Sequence, residues 1–580
     1  MARRLLWISA SLLLAACPRS GGRSHADSDG ARDPATAAEA APPPPASTAT
    51  EDAKAWLEGR LPPSVLAGPP REGGRAVIRA YYEPASLNPI AADDGLAVWI
   101  DLHLINEPLL RRDPYDDPRY RLVPALAERW EVTDGGRQQT FHLRPGVRWH
   151  DGRPLRAADV TATFEKLRAP GVKGTALRPL FELLDSVQEV DPSTVRFTWR
   201  EPYFLALDAI ARVPIQPAHV IGKLSASEYN EASKNPMNRS PIGTGPFRFA
   251  EWVAGEKIVL EKNPDYWGRK AYLDRVIYRI VPDHTVAREL ARREEIDLWD
   301  AVQPHDWAKM TDRVFRTRFH RVKYLTASYV FVGWNNRRPF FHDARVRRAL
   351  AMLFDVDAFL RHVNFGIAPR ATCPFYAAGP DCPKIEPIPY DPAAAAALLD
   401  EAGWRDHDDD GWRDRDGLRF SFTLMIYPQS TVSERIATFM TEAYRKAGIE
   451  VHIQKTEWSA MVKRLDEGEF DATALAWDVG PRSDPMAFWH SRAIEAGANH
   501  FGFVDPEVDR LIEAARLVRD DEARHALYRR LSRRLYALQP VLFLYVPVHL
   551  GLVHVKVRGV RPSLLWWQPQ DWWLNETGGL

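Results

Sequence analysis

The chain has 580 residues, which is more than one hydrophobic core usually organises, so its length predicts two or three domains. The 77 basic side chains balance 77 acidic ones, and this zero net charge argues against a nucleic-acid-binding protein, which would carry a basic excess. After the first twenty residues no apolar run approaches the length that crosses a bilayer, which argues against a second membrane span.

The amino terminus has the pattern of a secretory signal. Arg3-Arg4 precede an apolar run, Leu5–Leu14, and Ala15-Ala16 lead directly into Cys17. A basic segment, a short apolar run and small residues before a cleavage point are typical of a signal peptide. The cysteine at this place resembles a bacterial lipobox, in which the peptide is cut before the cysteine and the cysteine is lipidated. We expect residues 1–16 to be removed and Cys17 to carry a lipid; an ordinary signal with a chance cysteine is the alternative.

Residues 17–74 are predicted to form a disordered tether between the lipid and the folded body. This segment is rich in alanine, proline, serine, glycine and charge, and residues 41–46 are mostly proline. Such a composition buries too little apolar surface to offset the entropy of ordering the chain. The folded part is expected to begin near Arg75, where Ala76-Val77-Ile78 is a strand-like run.

The clearest pattern of elements lies between residues 391 and 477. Asp391 and Pro392 predict the start of an alanine-rich helix, and Gly403 predicts its end. The chain then alternates between strand 420–426, a helix from the capping box of Thr431 and Glu434 to Gly448, strand 449–453, a helix from Trp458 to Gly468, and strand 470–477.

This alternation is typical of an α/β fold in which right-handed crossovers connect mainly parallel strands. Ligands of such sheets bind outside the carboxyl ends of the strands. Trp477 and Asp478 stand at that end of the last strand in the series. The pattern therefore predicts that these two residues lie at a ligand-binding cleft.

A series of motifs lies at 126–151, 153–160, 243–247, 263–267, 335–350 and 390–404. In their residues and their order along the chain, these motifs together resemble the family 5 solute-binding proteins of ABC importers, which include peptide, dipeptide and nickel binders. The resemblance covers roughly residues 76–560. We expect these motifs to build the scaffold rather than to contact ligand.

The resemblance implies a two-lobed periplasmic-binding-protein clamshell of the α/β class, type II-like and of cluster C, with an extra inserted domain. Mapped onto this chain, domain I takes 75–107, 236–328 and 545–580, domain II is the insertion 108–235, and domain III takes 329–544. Two segments then cross between the lobes and act as a hinge. Ligand between the lobes favours closure, because only the closed state contacts it on both sides.

The same resemblance nominates residues that line the cleft. Tyr329 and Trp334 are expected at the first crossing between the lobes and Tyr545 at the return crossing. Aromatic walls suit a peptide-like ligand, since stacking and apolar contact tolerate varied side chains. The nominated ligand-binding residues are Asp93, Tyr329, Trp334, Trp458, Trp477, Asp478 and Tyr545.

One position departs from the family pattern. Peptide binders of the family commonly have an acidic residue three positions after the tryptophan that matches Trp477, where it pairs with the amino terminus of the ligand. Here that position is Gly480. Asp478 or Asp484 could substitute from a shifted backbone. Without a carboxylate in the cleft, peptides with a free amine should bind poorly, because a buried ammonium without a partner costs several kcal/mol.

Two smaller patterns allow chemistry away from the cleft. Cys373 and Cys382 lie nine residues apart, and in an oxidising envelope they predict a disulfide, with two free thiols as the alternative. Asp406, Asp408 and Asp410 begin a calcium-loop spacing, but the twelfth position lacks the usual glutamate. We favour a solvated acidic turn over a weak calcium site, and expect no metal.

No zinc-protease motif, phosphate-binding loop, dinucleotide fingerprint or nucleophile elbow occurs, so we expect neither enzymatic activity nor a cofactor. The sequence predicts a monomeric lipoprotein of the periplasm or cell envelope that captures peptides or peptide-like solutes. It would deliver them to the permease subunits of an ABC importer. The alternatives are a ligand sensor or adaptor for a membrane receptor, or a binder of a nickel chelate, haem or an oligosaccharide.

Overall fold

The computed structural model describes residues 58–575, except 67, 92–94, 103, 174–176, 519 and 566. The predicted signal peptide, Cys17, the predicted tether up to residue 57 and the nominated Asp93 lie outside the described residues. Within the described part, no helix is both long enough and apolar enough to cross a membrane.

The strands run in chain order as follows: β1 Arg75–Ala80, β2 Leu110–Arg112, β3 Leu122–Pro124, β4 Ala127–Thr133, β5 Gln138–Leu143, β6 Leu184–Asp191, β7 Thr194–Trp199, β8 Phe247–Val253, β9 Lys257–Lys262, β10 Arg275–Ile280, β11 Leu298–Trp299, β12 Phe319–Leu325, β13 Ser328–Trp334, β14 Asp414–Arg415, β15 Leu418–Arg419, β16 Ser421–Ile426, β17 Glu450–Lys455, β18 Ala472–Asp478, β19 Val541–Tyr545, β20 Val548–His554, β21 Val557–Arg558 and β22 Trp573–Leu574.

The α-helices are α1 Gly95–Asp101, α2 Ala157–Arg168, α3 Ala206–Ile210, α4 Ala218–Ile221, α5 Ala226–Asn230, α6 His284–Arg292, α7 Pro304–Lys309, α8 Arg313–Arg318, α9 Ala344–Leu353, α10 Val356–Val363, α11 Pro392–Glu401, α12 Thr431–Arg445, α13 Trp458–Glu467, α14 Met486–Trp489, α15 Ala493–Ala496, α16 Pro506–Leu517 and α17 Asp521–Leu538. Short 3-10 helices occupy Pro63–Leu66, Asp134–Gly136, Arg178–Phe181, Pro236–Asn238 and Pro569–Asp571.

Three sheets organise the fold, and each has its own apolar core. A seven-stranded sheet in the order β12-β20-β11-β1-β10-β9-β8 takes its strands from the segments predicted as domain I. The four-stranded sheet β4-β5-β7-β6 lies within 108–235, the segment predicted as domain II. The five-stranded sheet β17-β16-β18-β13-β19 lies within residues 328–545, close to the bounds predicted for domain III. We call the regions around these three sheets domains I, II and III. The chain passes from domain I to domain III between β12 and β13, and it returns between β19 and β20.

Domain III contains the predicted alternation of strands and helices. Strand β16 pairs in parallel with both β17 and β18, as the crossover pattern predicts. The sheet is nevertheless mixed, because β13 runs antiparallel to both β18 and β19. Helix α11 begins at the predicted cap, where Asp391 accepts a hydrogen bond from the amide of Ala394. Helix α12 is capped by Ser430 rather than by the predicted box of Thr431 and Glu434.

The predicted start of the folded body is wrong. The side chain of Val65 is fully buried in the core of domain I, and its carbonyl accepts a hydrogen bond from the Gly559 amide at 2.9 Å. The carbonyl of Gly59 likewise accepts from the Lys323 amide at 2.6 Å. Leu61 also packs against this core, because burial of its apolar side chain is favourable. The last part of the predicted tether therefore belongs to the fold.

Glu107 joins two of the sequence motifs at the boundary between domains I and II. Its buried carboxylate accepts hydrogen bonds from Thr244 Oγ1 at 2.9 Å, Tyr266 Oη at 2.8 Å and Trp267 Nε1 at 2.9 Å. Burial raises the pKa of Glu107, while these three donors lower it. The motifs at 243–247 and 263–267 are therefore held together through hydrogen bonds to one buried carboxylate.

Candidate ligand cleft

The candidate cleft lies at the carboxyl end of β18, where Asp478 pairs with Ser328 beside the first crossing segment. The amide of Val479, directly after β18, donates to the carbonyl of Ala327 in the first crossing at 2.7 Å. The crossings also bond to each other, since the amide of Thr326 donates to the carbonyl of Pro547 at 3.0 Å. Parallel strands place their carboxyl ends at one edge of a sheet, so this edge faces the hinge between domains I and III.

Asp478 ends β18 and is exposed to solvent. Its Oδ1 accepts a hydrogen bond from the Gly480 amide at 2.9 Å, and no ion pair within 4.0 Å engages it among the described residues. The surrounding protein nevertheless raises the pKa of Asp478 by desolvation, against the lowering effect of that amide and of Arg212 and His549. The charged form of Asp478 is therefore less favourable than that of a fully solvated aspartate.

All three domains contribute charge near Asp478. Arg212 belongs to domain II, and His549 belongs to β20 of domain I. A Cβ atom added to Gly480 would lie 3.2 Å from Arg212 Nη2, so the guanidinium of Arg212 borders the space that a side chain at position 480 would need. The position of the usual family carboxylate is therefore next to an arginine in this chain.

The second candidate for the missing carboxylate, Asp484, is already engaged. Its Oδ2 lies 3.1 Å from Arg516 Nε, and its Oδ1 accepts a hydrogen bond from the Met486 amide at 3.0 Å. Of the two aspartates named from the sequence, Asp478 is the one whose carboxylate is left for a ligand.

The nominated Tyr329 and Trp477 are buried next to each other, close to the candidate cleft. They face each other on β13 and β18, with ring centroids 6.1 Å apart, and both are buried. Neither Tyr329 Oη nor Trp477 Nε1 has a hydrogen-bond partner among the described residues. Tyr545 pairs with Val330 instead, and its ring lies 6.4 Å from that of Phe359. These rings pack in the core of domain III rather than forming one aromatic wall.

The expected place of Trp334 at the crossing is wrong. Trp334 ends β13 at the far side from the crossing, opposite Ala472, and its ring stacks on Phe341 at 5.0 Å. Trp334 is fully buried. It lies far from the crossing because a strand of seven residues places its last residue about 20 Å from its first. Trp458, by contrast, begins α13 at the expected edge and lies half-buried, 6.0 Å from the ring of Tyr427.

Sequence reasoning missed three residues of the cleft region. Arg212 and His549 are described above, and Asp300 is buried with its Oδ1 3.8 Å from His549 Nδ1. The ring of His549 also stacks on Tyr324 at 5.1 Å. No local pattern marks these residues, because folding brings them together from separate segments of the chain.

The two smaller patterns have simple structural roles. Cys373 and Cys382 form a disulfide with a Cα–Cα distance of 5.7 Å. Asp406, Asp408 and Asp410 lie close together on an exposed turn. There Asp406 accepts the amides of Asp410 and Gly411, and Asp410 pairs with Arg419, contacts that build the turn itself.

Comparison with known proteins decides the family. Residues 121–499 match the family described as bacterial extracellular solute-binding proteins, family 5 Middle. The chain belongs to this family. It is 31% identical over 526 residues to the oligopeptide-binding protein AppA of Bacillus subtilis (strain 168), which covers 88% of this chain and 93% of AppA. The dipeptide-binding protein of Escherichia coli (strain K12) is 26% identical, with 76% of this chain and 83% of the relative covered.

Solved structures confirm the clamshell fold. The structure of AppA from Bacillus subtilis in complex with a nonapeptide has a TM-score of 0.71 and 29% identity, covering 88% of this chain and all of that one. NikA from Brucella suis in complex with Fe(III)-EDTA has a TM-score of 0.74 at 23% identity, covering 87% of this chain and all of NikA, and shows the fold alone. The chain is therefore a solute-binding protein of an extracellular family.

Proposed function

We propose that this protein captures peptides outside the cytoplasm and delivers them to the permease subunits of an ABC importer. Relatives that cover most of the chain are named as oligopeptide- and dipeptide-binding proteins. The observation that carries the proposal for this chain is Asp478, an exposed carboxylate without an ion pair among the described residues, at the hinge edge of domain III. Such a group can bind a peptide ammonium.

Binding would act through closure of domain I onto domain III about the segments 325–328 and 545–548. A ligand that contacts both domains only in the closed state favours that state by its difference in affinity for the two. The protein would supply affinity and specificity, and the importer would supply the energy of transport. Small-angle scattering should then show a smaller radius of gyration with bound peptide; a profile unchanged by every member of a peptide series would contradict the proposal.

The role of Asp478 is tested by the substitution Asp478→Asn, which keeps a side-chain acceptor for the Gly480 amide. We expect free-amine peptides of two to nine residues to bind at least tenfold more weakly, in line with roughly 1.5–3 kcal/mol for a charge-assisted hydrogen bond. Calorimetry measures the affinity. Amino-acetylated peptides should lose no affinity, because they bring no ammonium to the site.

A matched control is Glu442→Gln, which removes an exposed carboxylate on α12 that pairs with Lys446 at 3.0 Å. It should leave peptide affinity unchanged. Equal affinities of Asp478→Asn and the unaltered protein for free-amine peptides would remove Asp478 from the site.

We propose further that the mature protein is a monomer held at the membrane by a lipid on Cys17. The support is the lipobox-like sequence before this cysteine. The substitution Cys17→Ser should release the protein from the membrane fraction and abolish incorporation of labelled fatty acid. Unaltered fractionation of that variant would favour an ordinary signal peptide.

A further inference from the structure

Domain II contacts domain III directly beside the cleft. Arg482, in the segment that follows β18, lies with Nη1 3.9 Å from Asp208 Oδ2 on α3 of domain II. The same arginine lies with Nη2 3.1 Å from Asp521 Oδ1, at the start of α17 in domain III. Asp208 also forms an ion pair with Arg112 of its own domain. Only 10% of the Asp208 side chain and 23% of the Arg482 side chain are exposed, so water screens this contact poorly.

Two further contacts join the same domains. The guanidinium carbon of Arg524, on α17, lies 5.2 Å from the ring centre of Phe204, just before α3. Tyr376 Oη donates to Asp117 Oδ1 at 3.2 Å, and the ring of Tyr376 lies 6.3 Å from that of Tyr120. Tyr376 belongs to the loop that the Cys373–Cys382 disulfide closes. Domain III thus meets domain II at both the segment after β18 and the disulfide loop.

The charges around Asp208 make it the centre of the contact. Burial, together with the nearby positive charges of Arg482 and Arg212, lowers the pKa of Arg112 to about 9. Arginines from both domains therefore approach one another when domains II and III meet. The carboxylate of Asp208 lies between Arg112 and Arg482 and offsets their repulsion. Separation of the domains would leave Arg112 paired with Asp208 but would remove Arg482 from it.

We propose that Asp208 and Arg482 form an electrostatic latch that holds domains II and III together beside the candidate cleft. The segment 479–485 carries Arg482 and follows Asp478 directly, so the latch also holds the proposed ligand-binding carboxylate in place. The role of Asp478 rests on the proposed function, but the latch does not depend on the chemical class of the ligand. The latch would stabilise the contact between domains II and III even in the absence of ligand.

The latch is tested on the ligand-free protein with Arg482→Gln, Asp208→Asn and the double variant. Small-angle scattering reports the radius of gyration, and hydrogen exchange reports the five non-proline amides of residues 479–485. Each single variant should enlarge the protein and raise exchange of this segment by about fivefold, equivalent to about 1 kcal/mol. The double variant should change the radius of gyration and the exchange rate little more than either single variant does, because all three variants remove the same ion pair.

The control is Arg530→Gln, which removes an ion pair with Glu507 at 3.2 Å inside domain III and should change neither measurement. If Asp208→Asn fails to fold because Arg112 loses its partner, Arg482→Gln still tests the latch, since it leaves the Arg112–Asp208 pair intact. Scattering and exchange that match the unaltered protein in Arg482→Gln, or additive effects in the double variant, would overturn the proposal. Because no ligand is added, failure of peptide binding would not affect this result.

Discussion

Asp478 combines two properties that rarely occur together in a carboxylate. It is exposed to solvent, yet the surrounding protein raises its pKa above the ordinary value. Binding of an ammonium requires the charged form, which is lost as pH falls through this raised pKa. We therefore expect affinity for free-amine peptides to fall on acidification from roughly pH 7 to pH 4, starting at higher pH than an ordinary aspartate would cause. Calorimetry across this pH range measures the affinity, and the affinity of Asp478→Asn should depend little on pH.

The same carboxyl predicts a gain in stability when it is removed. An acid whose pKa is higher in the folded state than in the unfolded state contributes stability below its unfolded pKa, and this contribution is lost as pH rises through the folded pKa. At pH 7 the charged Asp478 is therefore unfavourable to the fold. Asp478→Asn should melt at a higher temperature than the unaltered protein at pH 7, and the difference should shrink toward pH 4. A lower melting temperature at pH 7 would contradict this assignment.

For single residues, the sequence predicts which side chains lie at the ends of strands, but it does not predict which of them are buried by neighbouring strands. The position of Asp478 follows from the rule that ligands bind at the carboxyl ends of parallel strands, and the structure places it there. Tyr329 and Tyr545 also lie beside the crossings, yet both rings are buried in the core of domain III, because strand register and neighbouring strands decide which side chains are covered. Arg212 and His549 carried no local signal, since only tertiary structure brings them to Asp478.

Among the elements, the motif at 243–247 shows how closely two backbones approach. A Cβ atom added to Gly243 would lie 1.7 Å from the carbonyl oxygen of Ile105. This clash is with backbone, so no side-chain rotation can remove it. We expect Gly243→Ala to cost about 3 kcal/mol or more of stability in urea denaturation. The comparison is Gly255→Ala, where nothing lies within 4 Å and only the positive φ of 72° opposes a side chain. That change should cost about 1 kcal/mol.

Elements defined by local chemistry were the most predictable. The cap of α11 at Asp391 and the left-handed Gly468 after α13 both follow from nearby residues, and the structure has them. The pairing of β13 with β18 and β19 could not be predicted. The hydrophobic periodicity of one strand does not show which distant strand lies next to it. Glu107 was missed for the same reason, although the motifs that it joins were identified.

For the whole molecule, the disulfide links the stability of domain III to its contact with domain II. The sequence separation of nine between Cys373 and Cys382 suggests that the disulfide contributes about 2.5 kcal/mol through restriction of the unfolded chain. Replacing both cysteines by serine should lower the melting temperature of domain III by roughly 5–10 °C. Calorimetry with and without a reductant measures this. A reductant should reproduce the shift in the unaltered protein and have no effect on the double variant.

The seven-stranded sheet of domain I takes β1 from the beginning of the fold and β20 from near its end, and β11 lies between them. Translation therefore supplies β1 more than 450 residues before the strand that completes its sheet. Loop closure over such a distance is slow, so domain I cannot reach its native state while the chain is still being synthesised. This delay suits a polypeptide destined for export, because a nascent chain without its final strand stays unfolded enough to be threaded through a narrow secretion channel.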